Sequence, residues 1–310
     1  MGHFLSIEHV SKHYGNHTAL HDVSLAVEKA QIFGLLGPNG AGKTSLIRIV
    51  NQISAPDSGS VRINGERLKP HHVQNIGYLP EARGLYRDMK VGEQALFFAR
   101  LKGLDTAAAS ARVTHWFQRL GIQDWRHKKV QELSKGMAQK VQFVITVLHN
   151  PDLLIFDEPF SGFDPINADR IKDEILGLRD RGATVIFSTH RMESVEALCD
   201  HVALISRSRK ILDGSVQAVK NRFKKHVYDV HLVPFEGKTW HTLAHFDWRE
   251  KNNPPKYSGA KRIWVELKPE QSPNELLHVL MSIGTVRAFE ESMPTMNEIF
   301  IEAVKQNAHE

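Results

Sequence analysis

Residues 4–36 and 60–68 alternate short Val/Ile/Leu-rich runs with turn signals such as Tyr14-Gly15-Asn16 and Asn64-Gly65. Apolar runs bounded in this way read as strands joined by hairpins, and so as a mixed or antiparallel sheet. From Val91 to Ile122 the apolar positions recur every three or four residues, which predicts one helix through Ala95-Leu96-Phe97-Phe98-Ala99 and another from Ala107 to Leu120. Helix and strand then alternate: helix 134–149, strand 153–157, helix 166–179, strand 183–188, helix 191–199, strand 202–206. That alternation predicts a parallel sheet flanked by helices, an α/β fold with a mixed-sheet core, an antiparallel β subdomain and a helical insert over about 88–150.

The pattern breaks at the basic, polar stretch Asn221-Arg222-Phe223-Lys224-Lys225-His226 and restarts with strand-like Val227 to Val233. Strands near 227 and 262, a polar Pro-containing loop between them and helices near 273 and 296 predict a small α+β domain. The expected domains are therefore 1–222 and 223–310, and 310 residues suit two domains.

Composition narrows the class. With 41% hydrophobic and 24% charged residues the chain is of ordinary globular type, neither disordered nor fibrous. Its single cysteine, Cys199, excludes an internal disulfide. No apolar run approaches the roughly 18 residues of a membrane-spanning helix. The formal charge of +5 is compatible with a nucleic acid or an anionic surface, but Lys and Arg are dispersed without a block, as on a solvated surface. His9, His13, His17 and His21 recur every four residues, yet Gly15-Asn16 interrupts them with a turn, so the series reads as coincidence.

Three stretches carry chemistry. Gly37-Pro38-Asn39-Gly40-Ala41-Gly42-Lys43-Thr44 fits G-x-x-x-x-G-K-[ST]. It follows the apolar run Ile32 to Leu36 and precedes Leu46, Ile49, Val50 and Ile53 at helical spacing. A strand, a glycine-rich loop and a helix N-terminus turn backbone N–H groups toward an oxyanion, Lys43 reaches the outer phosphates, and Thr44 can ligate Mg²⁺. These eight residues and the adjoining Ser45 are the candidate nucleotide-binding positions. Leu153-Leu154-Ile155-Phe156 ends in Asp157-Glu158, an arrangement that puts one acid on Mg²⁺ and leaves the other to orient or deprotonate water. Strand-end acids are common, and the phosphate loop upstream is what raises this pair above a solvated terminus. Between the two, Ser134 is a natural N-cap for a helix with Met137, Val141, Val144, Ile145 and Leu148 on one apolar face, and Gly136 keeps its first turn open. That segment reads either as a capped core helix or as a second anion-binding helix end.

The order of these motifs over residues 4 to about 220 resembles the ATP-binding subunit of ABC transporters, a P-loop NTPase fold. Ser161-Gly162-Phe163-Asp164-Pro165 is similar to the family's dimer-contact loop, His190 to its switch histidine, and Tyr14 to the aromatic that stacks on adenine. The resemblance implies ATP and Mg²⁺ as cofactors, Lys43, Glu158 and His190 in catalysis, and Thr44, Asp157 and Glu81 at the metal. It also implies a head-to-tail homodimer in which Ser134 and Gly136 of one chain face the γ-phosphate held by Lys43 of the other, with Asp164 at the contact. Two departures, Leu133-Ser134-Lys135-Gly136-Met137 in the signature and Glu81 where glutamine is usual, resemble exporter ATPases related to sodium-extruding systems, whose permease is of ABC-2 type. The C-terminal domain, ending Pro294-Thr295-Met296-Asn297-Glu298-Ile299-Phe300, resembles that subgroup as well. The implied location is cytoplasmic, on the inner face of the cell membrane through the permease, with no nucleic acid partner.

Two other readings stand beside this one. A soluble ABC-type ATPase acting on nucleic acid or ribosomes would carry tandem ATP domains or a long coiled-coil insert, and neither pattern is present. A non-catalytic regulatory subunit would not need Glu158 and His190. In the turn Tyr78-Leu79-Pro80-Glu81-Ala82-Arg83, Glu81 reads either as a relay between metal and permease or as an acid in solvent beside Arg83.

Overall fold

The computed structural model describes residues 2–82, 84–237, 240–251 and 256–309, apart from the side chains of Trp240, Ala308 and His309. Arg83 and the Pro254-Pro255 part of the polar loop lie outside the described residues. The chain divides into two compact units, Met1–Val216 with Phe300–Glu310, and Gln217–Ile299.

The first unit opens with β1 (Leu5–Tyr14) and β2 (His17–Val27), a hairpin closed by Gly15-Asn16 with Tyr14 paired to His17. Next, β3 (Ile32–Leu36) leads through the glycine loop to α1 (Lys43–Val50). The hairpin of β4 (Ser58–Ile63) and β5 (Glu66–Arg67) turns at Asn64 and Gly65, whose φ values of 50° and 79° are the two left-handed positions that an Asn-Gly hairpin supplies. These strands form one antiparallel sheet in the order β2-β1-β4-β5, while β3 leaves it for a second sheet.

That second sheet receives β6 (Ile76–Leu79) and, after the helices α2 (Val91–Leu101), α3 (Thr106–Leu120) and α4 (Lys135–Val147), β7 (Leu153–Asp157). Then come α5 (Pro165–Asp180), β8 (Thr184–Ser188), α6 (Met192–Leu198), β9 (His201–Ser206), β10 (Arg209–Ser215) and α7 (Val216–Arg222). The strand order is β10-β9-β3-β8-β7-β6, with β9 through β6 parallel and β10 antiparallel at the edge. Every residue of β3, β7 and β8 is buried, which accounts for their unbroken apolar runs where a one-sided strand would alternate.

Several local expectations shift. Ile53 does not continue the helix: Gln52 turns left-handed at φ 56° and Ile53 is 61% exposed. The helix α4 is buried over more of its surface than a single stripe, with Ala138, Gln142, Phe143 and Val147 inside and Met137 and Ile145 only half-buried. The four histidines at intervals of four fall on the paired strands β1 and β2, not on one helix face.

In the second unit, β11 (Val227–Pro234), β12 (Asp247–Glu250), β13 (Lys261–Glu266), α8 (Pro273–Ile283) and β14 (Gly284–Ser292) build an antiparallel sheet ordered β12-β13-β11-β14. The last helix, α9, spans Met296–His309, of which the residues from Phe300 on belong to the first unit. Val230, Leu232, Ile263 and Val265 pack against Leu276, Leu280 and Ile283, with Trp248 on this core. Trp264 belongs to the other sheet face, its ring 3.1 Å from the Lys251 ammonium. Trp248 and Trp264 therefore do not share a surface, and the Trp240 side chain lies outside the described residues.

Just past the end of α4, His149 is half-buried against β6 with Nε2 3.3 Å from the Ile76 carbonyl, and Nδ1 is enclosed with no partner. Beside it Lys102, at the end of α2, donates to the carbonyls of Val73 and Ile76 at 2.7 Å each. Burial first, and then the Lys102 charge, push the imidazole down from 6.5 to about 4. The unfolded chain therefore binds the proton more readily. This contribution, roughly 3 kcal/mol, is complete above about pH 6.5 and is lost as the pH falls toward 4. His149→Gln keeps a donor for Ile76, and urea melts at several pH values should show a flatter fall in stability between pH 6.5 and 4 than in the parent protein.

Candidate active site

The parallel register brings four strand ends together. Ser188 at the end of β8 pairs with Leu35 of β3 on one side and with Asp157 of β7 on the other, and Leu79 of β6 pairs with Phe156. The segments that follow, Gly37–Thr44, Asp157-Glu158, Thr189-His190 and Pro80-Glu81, therefore emerge at one edge, the carboxyl ends where open α/β sheets bind ligands.

Two glycines are required by geometry. A side chain on Gly37 (φ 153°) would collide with the Ile205 carbonyl, and one on Gly42 (φ 113°) with that of Ala19. The helix α1 starts at Lys43 with no side-chain cap and no acidic residue in its first turn, so its N-terminal N–H groups and positive dipole end are left for an anion. Lys43 Nζ donates to the carbonyls of Gly37 at 2.6 Å and Pro38 at 3.0 Å, bonds it can exchange for phosphate oxygens.

A cleft of about 370 Å³ collects Tyr14, Asn39, Gly40, Ala41, Gly42, Lys43, Thr44, Ser45, Glu81, Asp157, Glu158 and His190. Gly37 and Pro38 lie behind it, through the carbonyls that hold Lys43. The Tyr14 ring is exposed at one end, with the Lys12 ammonium 5.5 Å from its centroid. Burial lowers the Lys43 ammonium pKa, and the charges of Asp157, Glu158 and Glu81 oppose that shift. Asp157 is raised, by burial first and also by Glu81 and Glu158, with Lys43 countering. Three carboxylates facing one ammonium, beside the Thr44 hydroxyl, make a hard oxygen set suited to Mg²⁺.

Glu158 is held at both oxygens. Oε1 accepts from the His190 backbone N–H at 2.8 Å and lies 2.6 Å from His190 Nδ1, while Oε2 accepts from the Thr189 hydroxyl at 3.1 Å. Its backbone is left-handed at φ 51°, a costly conformation for a residue with a side chain, and this aims the carboxylate along the strand edge.

A family model described as ABC transporter matches residues 20–161, and one described as ATP-binding protein DrrA1-3-like, C-terminal domain, matches residues 214–304. An uncharacterised ABC transporter ATP-binding protein of Bacillus subtilis (strain 168), YhaQ, is 37% identical over 307 residues, 97% of this chain and 98% of that protein. The chain belongs to the ABC transporter ATP-binding proteins. Nod factor export ATP-binding protein I of Cupriavidus metallidurans (strain ATCC 43123 / DSM 2839 / NBRC 102507 / CH34) is 35% identical over 213 residues, 68% of this chain and 70% of that one. A solved ATP binding subunit of an ABC transporter aligns with a TM-score of 0.66 at 28% identity, over 71% of this chain and 93% of its own. As an ABC ATP-binding subunit the protein binds ATP and hydrolyses it to power transport, and nothing in these similarities supports action on nucleic acid.

Three expected positions of the ABC ATPase stand outside the cleft. Ser134 caps α4, accepting from the Met137 N–H at 3.3 Å, and Gly136 lies against the Gly162 carbonyl. Asp164 caps α5, accepting from the Asn167 N–H at 3.0 Å. Two residues escaped the sequence reading. His17 lines the cleft but was set aside with the four-residue histidine series, and Thr189 bonds Glu158 although only its neighbour His190 carried a motif. The pairing of Tyr14 with His17 across a two-residue turn was the available signal for the first.

Because Lys43 is the cleft's single ammonium and is nearly enclosed, Lys43→Ala should weaken ATP binding by roughly tenfold to a hundredfold, the range of a charge-assisted hydrogen bond. Fluorescent ATP analogue titrations measure this, and unchanged affinity would contradict the phosphate-loop assignment.

Proposed function

We propose that this subunit energises export through a separate ABC-2 type permease, working as a head-to-tail homodimer on the cytoplasmic face of the cell membrane. The ATP-binding domain would span residues 1–222 and the accessory domain 223–310. The observation that carries this reading is an apolar patch at the helical insert: Tyr86, Phe97 and Leu101 are 55%, 44% and 64% exposed, with Tyr86 stacked on Phe98 and Phe97 edge-on to both rings. Clustered exposed rings of this kind suit a protein partner. No helix among the described residues is long and apolar enough to cross a membrane. The Nod factor export relative supports the direction, and Glu81 with the Ser134-Lys135-Gly136 signature supports the ABC-2 subgroup.

In this mechanism Tyr14 stacks on adenine, and the loop N–H groups of Gly40 to Ser45 together with Lys43 hold the phosphates. Thr44, Asp157 and Glu81 are the oxygen donors that would hold Mg²⁺, which would supply positive charge to offset that of the phosphates. Ser134 and Gly136 of the second chain approach the γ-phosphate with the N-terminal end of α4, and Asp164 borders the contact. His190 turns from Glu158 toward the γ-phosphate and so frees Oε1 to take a proton from the attacking water. Glu158→Gln should keep ATP affinity, lose about 10²–10⁴-fold in turnover and accumulate as a closed dimer by size-exclusion chromatography. Wild-type turnover in that variant would remove Glu158 from the mechanism.

The relay reading of Glu81 draws on its attachments. Gln142 of α4 donates to the Pro80 carbonyl at 3.4 Å, and Thr146 donates to that of Tyr78, also at 3.4 Å. The strand β6 and the Pro80 turn that leads to Glu81 are thus fastened to the helical insert. Glu81→Gln should leave ATP binding nearly intact and change the permease-stimulated rate in reconstituted vesicles. Equal stimulated rates would reduce Glu81 to a solvated acid.

A further inference from the structure

The β4–β5 hairpin and the 3₁₀ turn Pro70–Asn75 bring one carboxylate and two imidazoles together on the first unit. Glu66 Oε2 is 3.5 Å from His72 Nε2 and 3.6 Å from His71 Nε2. All three atoms lie within 4.8 Å of one another, the one such group of His, Cys, Asp or Glu found among the described residues. Tetrahedral zinc holds nitrogen and oxygen ligands at about 2.0–2.2 Å, which separates neighbouring ligand atoms by about 3.3–3.6 Å. Two of the three edges already have that length.

The surroundings favour a ligand set. His72 has a side chain only 12% exposed, and its Nδ1 is 3.3 Å from the Lys69 carbonyl. In the free ring Nδ1 accepts from the Lys69 backbone N–H at 3.0 Å, so the hydrogen sits on Nε2 toward Glu66; zinc on Nε2 would shift that hydrogen to Nδ1, where the Lys69 carbonyl can take it up as the outer-shell support that metal-bound histidines use. His71 stacks on His72 with centroids 4.1 Å apart, and its side chain is 59% exposed, leaving it room to turn and shorten the third edge. Lys69 Nζ occupies Glu66 Oε1 at 2.6 Å and leaves Oε2 to the histidines.

We propose that Glu66, His71 and His72 form a zinc site, with water at the fourth position. It is separate from the nucleotide cleft, which none of the three residues lines. Its turn leads straight into β6, so zinc ties the β4–β5 hairpin to the start of the strand that ends at Leu79, two residues before Glu81.

The test is calorimetric titration of metal-stripped full-length protein with Zn²⁺ in excess Mg²⁺, comparing wild type with variants so that the background from 18 histidines cancels. Wild type should bind one more equivalent than Glu66→Gln or His71→Ala. The loss in each should exceed the ~10–100-fold that removal of an outer-shell partner costs. Lys69→Met removes a repelling charge and should tighten binding several-fold, a result that mere ion pairing within the cluster would not give. Co²⁺ in place of zinc should give tetrahedral visible absorption, absent in His71→Ala. Basal ATPase rates should be unchanged in all three variants. Equal zinc stoichiometry and affinity in wild type, Glu66→Gln and His71→Ala, or no binding at micromolar zinc, would overturn the proposal.

Discussion

Ser188 stands between Leu35 and Asp157, and this double register among β3, β8 and β7 decides where the phosphate loop, the paired acids and His190 come to lie. The three strands are buried on both faces, so their backbone groups have no water to turn to and must pair with one another. A slip of one residue would send each side chain to the opposite face and carry Asp157 about 3.3 Å along the strand. The chemistry therefore depends on a packing constraint satisfied some residues away from any reacting atom.

That constraint gathers like charges. Glu81, Asp157 and Glu158 share one cleft with a single lysine, and burial makes Asp157 reluctant to ionise. A cleft of this kind gains from a divalent cation and a polyanion bound together, since each offsets the charge that repels the other. The hydrogen bonds from His190 and Thr189 to Glu158 and from Lys43 to its own loop satisfy these groups in the meantime.

The parallel core was readable because fully buried strands and amphipathic helices write different periods into the chain. The helices and strands from α4 to β9 stand within two residues of their expected bounds. The phosphate loop was readable for a sharper reason: its glycines are demanded by backbone collisions, which few sequences satisfy. The misses are equally physical. Val286 and Phe289 both turn toward the core of the second unit although they are three apart, because β14 shifts register against β11 between Val286 and Ala288, so neither a strand nor a helix period shows. Asp247–Glu250 is too polar to read as a strand and is held by pairing with β13. Glu66, His71 and His72 look like ordinary surface residues until the 3₁₀ turn Pro70–Asn75 brings the two imidazoles back to Glu66.

Lys102 has a mechanical consequence. Its ammonium is held between two carbonyls at the entry to β6, and partial burial restricts the solvent with which those bonds can be traded. The end of α2 and the head of β6 are thereby pinned like the two arms of a bell crank. A push on the exposed rings of α2 is delivered to the strand as displacement, where a floppy linkage would have dissipated it as local rearrangement.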